Sequence, residues 1–203
     1  SGLLTPFPSF NLFYSGLRDG NIYAIASRSG EGKSTWLDYM SCEMSKIHQV
    51  PVLQLDTELS TDEVKIRTAA GISQIPHFLL DTGGWRKDEN YIKKVRTEVK
   101  DYKNQYKVYH YYVGNKSIET ICSIVRRWHL KYVGRNNKCI VCYDYLKVGS
   151  DKVTNNFAEY QIIGHKVDTL KRLCCELKFP LLTAIQINRT GENRGRSSND
   201  VTD

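Results

Sequence analysis

Short apolar, β-prone stretches recur along the chain at 22–26, 52–55, 108–113, 139–143 and 181–185. Each is only a few residues long and nearly continuous in apolar character, as expected of strands buried on both faces of a sheet. Between them lie windows with helical spacing, roughly 33–48, 61–70, 88–104, 117–132 and 157–178. In the first window Leu37, Met40, Met44 and Ile47 fall on one face, and in the last Ile163, Val167, Leu170, Cys174 and Leu177 do so. Both are read as core-packing stripes. Strands separated by helices predict an α/β fold, a mainly parallel sheet flanked by helices on both faces. Residues 147–156 and 189–203 are polar and aperiodic and are predicted to be loops. No internal repeat or long linker divides the 203 residues, which predicts one domain over 1–203, with a lead-in at 1–14 and a loop at 190–203.

The first strand runs into Ser27-Arg28-Ser29-Gly30-Glu31-Gly32-Lys33-Ser34-Thr35, and the first helix opens there. Strand, glycine-containing loop and helix are the setting of a phosphate-binding P-loop. Backbone N–H groups at a helix N-terminus face an anion, and the helix dipole favours negative charge there. Gly30 and Gly32 let the backbone curl round a phosphate. Lys33 is placed to neutralise the β- and γ-phosphates, and the Ser34 hydroxyl to ligate Mg²⁺. Residues 28 to 35 are thus the candidate nucleotide-binding run. The full pattern begins with glycine, and Ser27 stands in that place.

Parallel strands bring their C-terminal ends to one edge, where ligands bind. The strand at 139–143 ends in Asp144, in the position of a Walker B carboxylate that holds Mg²⁺ beside Ser34. The strand at 52–55 ends in Asp56-Thr57-Glu58, so either acid is a candidate for orienting and deprotonating a lytic water. Both are equally suited to opening the next helix, and spacing alone does not choose between them. Gln186, ending the last strand, is either a contact to the γ-phosphate or a turn residue.

Composition adds little that is selective. Apolar residues make up 40% and charged residues 25% of the chain, an ordinary globular balance, and no apolar run approaches a membrane span. The expectation is a cytoplasmic protein without a membrane partner. The six cysteines are read as buried free thiols, with Cys139 and Cys142 lacking a second ligand pair at zinc spacing. A formal charge of +7 is compatible with a polyanionic partner. In the polar loops Lys152, Arg189, Arg194 and Arg196 are candidate phosphate contacts to a nucleic acid, or else solvated charges. The aromatic run Tyr109-His110-Tyr111-Tyr112 lies on a strand and is read as sheet packing rather than a base-stacking platform. His129 and His165 are read as structural.

Several blocks in order resemble the C-terminal motor domain of replicative DNA helicases of the DnaB type, within the RecA-fold ATPases. Gly16-Leu17-Arg18-Asp19-Gly20 is similar to that family's lead-in, and Ser27-Arg28 to the small residue and arginine that open its P-loop. Leu55-Asp56-Thr57-Glu58-Leu59-Ser60 resembles the segment carrying its catalytic base, with the match on Glu58. Asp144-Tyr145-Leu146-Lys147 resembles its Walker B block, with Lys147 replacing a glutamine. Leu170-Lys171 and Gln186-Ile187-Asn188-Arg189 resemble the helix and the γ-phosphate sensor segment. The resemblance implies a RecA-like P-loop NTPase that uses Mg²⁺-ATP and translocates on single-stranded DNA. It further implies a homo-oligomeric ring, a hexamer, whose arginine finger comes from a neighbouring subunit, and a primase or loader as partner. The rival expectations are a RecA-fold ATPase that is not a helicase and a small-molecule P-loop kinase.

Overall fold

The computed structural model describes residues 2–28, 30–146 and 159–186. Five parallel strands form one sheet: β1 (Ile22–Ser27), β2 (Val52–Asp56), β3 (Val108–Tyr112), β4 (Ile140–Asp144) and β5 (Leu181–Gln186), in the order β1-β5-β4-β2-β3. All observed strand pairings are parallel. The helices are α1 (Pro8–Tyr14), α2 (Lys33–His48), α3 (Thr61–Ser73), α4 (His77–Thr82), α5 (Glu89–Lys94), α6 (Lys100–Gln105), α7 (Ile118–Trp128) and α8 (Glu159–Leu177). A π-helical turn, Val95–Val99, joins α5 to α6, and another, His129–Val133, ends α7.

The strands alternate between two cores, and this explains their unbroken apolar character. Leu53, Val141, Tyr143 and Leu181 face a cluster with Ile121, Val125 and Trp128 of α7 and Leu170, Leu173 and Cys174 of α8. Their neighbours Val52, Ile140, Cys142 and Leu182 face the opposite cluster with Leu37, Met40 and Met44 of α2. Period-two alternation thus buries both faces. Cys139 and Cys142 fall into different clusters, so one metal ion cannot take both.

The α2 stripe needs one correction. Leu37, Met40 and Met44 are buried, but Ile47 is 50% exposed, and Ser41 and Ser45 take the remaining space against the sheet. The small hydroxyls let the helix approach closely: Ser41 Oγ donates to the Leu37 carbonyl at 2.8 Å, and Ser45 Oγ accepts from the Lys107 N–H at 2.8 Å. Likewise Cys175 is exposed and Cys42 half-buried, so not every thiol is interior. The aromatic run on β3 divides. Tyr109 packs edge-on to Trp128, at 5.9 Å between centroids, and against Tyr132 at 4.4 Å, whereas Tyr111 and Tyr112 are exposed on the edge strand.

Candidate nucleotide-binding site

The strand order sets the site. Register pairs Ser27 of β1 with Gln186 of β5, and Asp56 of β2 with Asp144 of β4. The ends of four strands therefore lie along one edge in line. A further backbone bond, Thr57 N–H to the Asp144 carbonyl at 2.9 Å, ties β2 to β4 beyond the ladder. An open cleft of about 250 Å³ at this edge is lined by Gly30, Gly32, Lys33, Ser34, Thr35, Glu58, Arg67, Tyr145 and Gln186. Residues more than 150 positions apart in the chain meet there.

The loop between β1 and α2 turns through two left-handed glycines, Gly30 at φ 82° and Gly32 at φ 85°. A side chain is disfavoured at that backbone conformation, although a Cβ on either glycine would meet only open space. Gly32 is the N-cap of α2, and it supplies no side chain to satisfy the first-turn N–H groups. Lys33, nearly buried, donates from Nζ to the Arg28 carbonyl at 2.9 Å, and the Arg28 N–H donates to Glu31 Oε2 at 2.6 Å. The loop is thus closed on itself by a cation and a carboxylate. Ser29 lies outside the described residues.

The two strand-end aspartates differ. Asp56 Oδ1 accepts from the backbone N–H groups of Glu58 and Leu59, both at 2.7 Å, and Oδ2 stands 3.7 Å from His110 Nε2. Burial alone would raise its pKa, but the His110 ring and the two N–H donors hold the carboxyl below its ordinary value. His110 is itself fixed by Nδ1 on Thr61 Oγ1 at 3.1 Å. Asp56 therefore caps the turn into α3 and does not line the cleft. Glu58, two residues on, is exposed in the cleft and hydrogen-bonds the Tyr145 hydroxyl.

At Asp144, burial pushes the carboxyl up, with Asp56 and Glu58 adding to the effect and the Ser34 hydrogen bond and Lys33 opposing it. Its Oδ1 is buried with no hydrogen-bond partner among the described residues. An orphaned carboxylate oxygen beside a serine hydroxyl, at the mouth of a phosphate loop, fits a hard divalent cation that takes oxygen ligands. The peptide between Asp144 and Tyr145 is cis.

Two residues at this edge, Arg67 and Asp38, escape a reading based on motifs, and a third, Tyr145, has no role assigned by its motif block. Arg67 lines the cleft from α3, Tyr145 from the residue after β4, and Asp38 of α2 stands behind them. Arg67 looks like one charge of a solvated helix face, and its role is set only by the way α3 lies across the edge. Of the basic loop residues, Lys152, Arg189, Arg194 and Arg196 lie outside the described residues. Arg126 and Arg127 sit on α7, where Arg126 forms a two-point ion pair with Glu176 of α8.

A model of the DnaB-like helicase C-terminal domain matches residues 2–203, essentially the whole chain. The chain belongs to the DnaB-like helicase C-terminal domain family. It is 27% identical over 199 residues to the replicative DNA helicase DnaB of Buchnera aphidicola, covering 96% of this chain and 41% of that protein. The corresponding proteins of Haemophilus influenzae and Helicobacter pylori are 24% and 26% identical, again over 96% of this chain, and over 41% and 38% of theirs. The chain thus spans about two-fifths the length of the curated relatives it matches. Among solved structures, a DnaB-like replicative helicase described with its interactions with primase superposes with a TM-score of 0.79 at 18% identity, over 100% of this chain and 48% of that one. A solved ATPase domain superposes with a TM-score of 0.78 at 19% identity, over 98% of this chain and 69% of that one. The fold is the RecA-like one of these domains.

Proposed function

We propose that this chain is the motor domain of a replicative DNA helicase, hydrolysing ATP to move along single-stranded DNA and separate the duplex. The observation that carries the reading is the cleft at the strand ends, where the phosphate loop, Glu58 and Gln186 converge beside Asp144. Lys33 exchanges the Arg28 carbonyl for the β- and γ-phosphates, and the N–H groups of residues 28 to 35 cradle them. Ser34 and Asp144 hold Mg²⁺. Bound there, Mg²⁺ supplies charge neutralisation at the phosphate oxygens. Glu58 takes the proton of the attacking water, Gln186 contacts the γ-phosphate, and Arg67 adds a cation at the same cleft.

Residues 1–203 act as one ATPase unit in a homo-oligomeric ring, a hexamer, in the bacterial or phage-infected cytoplasm. The arginine that completes each site comes from a neighbouring subunit, and a primase or loader docks on the assembly. Single-stranded DNA is gripped through its phosphates by the loop residues Lys152, Arg189, Arg194 and Arg196.

Two measurements test the reading. Turnover in the native assembly should rise on addition of single-stranded DNA. DNA-independent turnover would favour a RecA-fold ATPase of another kind, and phosphotransfer to a small acceptor would favour a kinase. Glu58→Gln should abolish turnover and spare ATP binding; if Asp56→Asn does this instead, the base is misassigned.

A further inference from the structure

Behind the cleft, a half-buried acid meets the arginine that lines it. Asp38 lies one helical turn beyond Ser34 on α2, with its side chain 31% exposed. Its Oδ1 accepts from Gln54 Nε2 of β2 at 3.0 Å, and its Oδ2 stands 3.7 Å from Arg67 Nη1 of α3. The amide therefore fixes the carboxylate against the sheet, and the free oxygen faces the guanidinium. Among the described residues Asp38 is the acidic partner of Arg67, and the separation is that of an ion pair rather than a hydrogen bond. The Arg67 side chain remains 45% exposed at the cleft. A guanidinium has five donors in a planar fork, enough to keep one anion on one side and take a phosphate on the other.

We infer that Asp38 is a positioning residue of the nucleotide site: its carboxylate, fixed by Gln54, tethers Arg67 so that the guanidinium is presented to the terminal phosphate of a bound nucleoside triphosphate. The inference rests on the reading of the cleft as a triphosphate site. An acid at this position is otherwise unfavourable. Burial raises Asp38 to about 6, Arg67 opposes the shift, and Asp144 of β4 and Asp56 of β2 add to it. Gln54 is its hydrogen-bond donor, and Cys42 of the same helix and Tyr102 of α6 are the other titratable groups that feel its charge. Tethering a cation gives the acid a use that helix packing does not.

The test is equilibrium binding of a non-hydrolysable ATP analogue and of ADP, both with Mg²⁺, to the full protein in its native assembly. Wild type, Arg67→Ala, Asp38→Asn and the double variant are compared, with melting temperature and circular dichroism as controls for folding. Asp38→Asn is nearly isosteric and retains an acceptor for Gln54. Arg67→Ala should weaken the triphosphate by about tenfold and leave ADP almost unchanged, as expected for loss of one charge-assisted contact. Asp38→Asn should weaken the triphosphate selectively by about threefold, and the double variant should be no weaker than Arg67→Ala alone, because the two act as one unit. A selective loss in Arg67→Ala with none in Asp38→Asn, or losses that add in the double variant, would overturn the inference and leave the site reading intact. Failure of the wild type to bind either nucleotide would overturn the site reading itself.

Discussion

Asp56 and Asp144 stand opposite each other in register on neighbouring strands, at the same edge, yet they are in opposite electrostatic states. Asp56 is engaged by the fold: two backbone donors on Oδ1 and a histidine ring 3.7 Å from Oδ2 lower its pKa against the effect of burial. Asp144 has an oxygen with no hydrogen-bond partner among the described residues and is raised by burial. Position at a strand end is therefore not what makes a carboxylate a ligand. What separates the two is whether the fold has already used the lone pairs. A satisfied acid holds the turn, and an unsatisfied one awaits a cation.

The largest effect expected from this contrast is on chemistry. Asp144→Asn should reduce ATP turnover by about 100-fold, the scale of losing one electrostatic contact to the reacting phosphates, while the melting temperature stays level or rises. Turnover assays paired with calorimetry check both halves. Asp56→Asn should show the reverse balance: a stability loss of about 1–2 kcal/mol in urea unfolding, from weakened charge-assisted bonds to the α3 turn, with a smaller decline in turnover.

The two acids should also give opposite slopes of stability against pH. Asp56, depressed in the fold, contributes stability that is present above its unfolded pKa of about 3.9 and is lost as the pH falls through its folded value. Asp144 is raised, so its contribution is complete below the unfolded pKa and is lost as the pH rises through the folded one. Urea unfolding without nucleotide or Mg²⁺, across the acid range, should therefore show Asp56→Asn closest to wild type at the lowest pH. Asp144→Asn should gain on wild type as the pH rises. Equal slopes for the two variants would dissolve the contrast.

The smallest expected effect concerns the loop itself. Glu31 occupies the Arg28 N–H, a donor that an incoming phosphate would use. Glu31→Ala should tighten nucleotide binding by about two- to threefold, part of one hydrogen bond, as read by fluorescence titration.

Much of this architecture was legible along the chain. The observed strands agree with the predicted ones to within a residue, because burial on both faces makes each an unbroken apolar run. The helix at 33–48 has its predicted bounds, fixed by glycine at one end and a left-handed Gln49 at the other. By contrast α1, α4 and the 3₁₀ turn Gly84–Lys87 leave no legible pattern in the sequence, since each is too short to show a period. The phosphate loop was readable because its chemistry is local. Asp56 and Glu58 could not be separated by spacing, as their difference depends on which one the turn into α3 consumes. Arg67 and Asp38 carry no motif, and their meeting is a product of helix packing.

The most direct test of the account is divalent-cation binding. Mn²⁺ is titrated against the protein in the presence of a non-hydrolysable ATP analogue and followed by electron paramagnetic resonance, for wild type, Asp144→Asn and Asp56→Asn. The account predicts that Asp144→Asn weakens Mn²⁺ by about tenfold or more and that Asp56→Asn leaves it near wild type. Wild-type affinity in Asp144→Asn, with the loss appearing in Asp56→Asn, would contradict it.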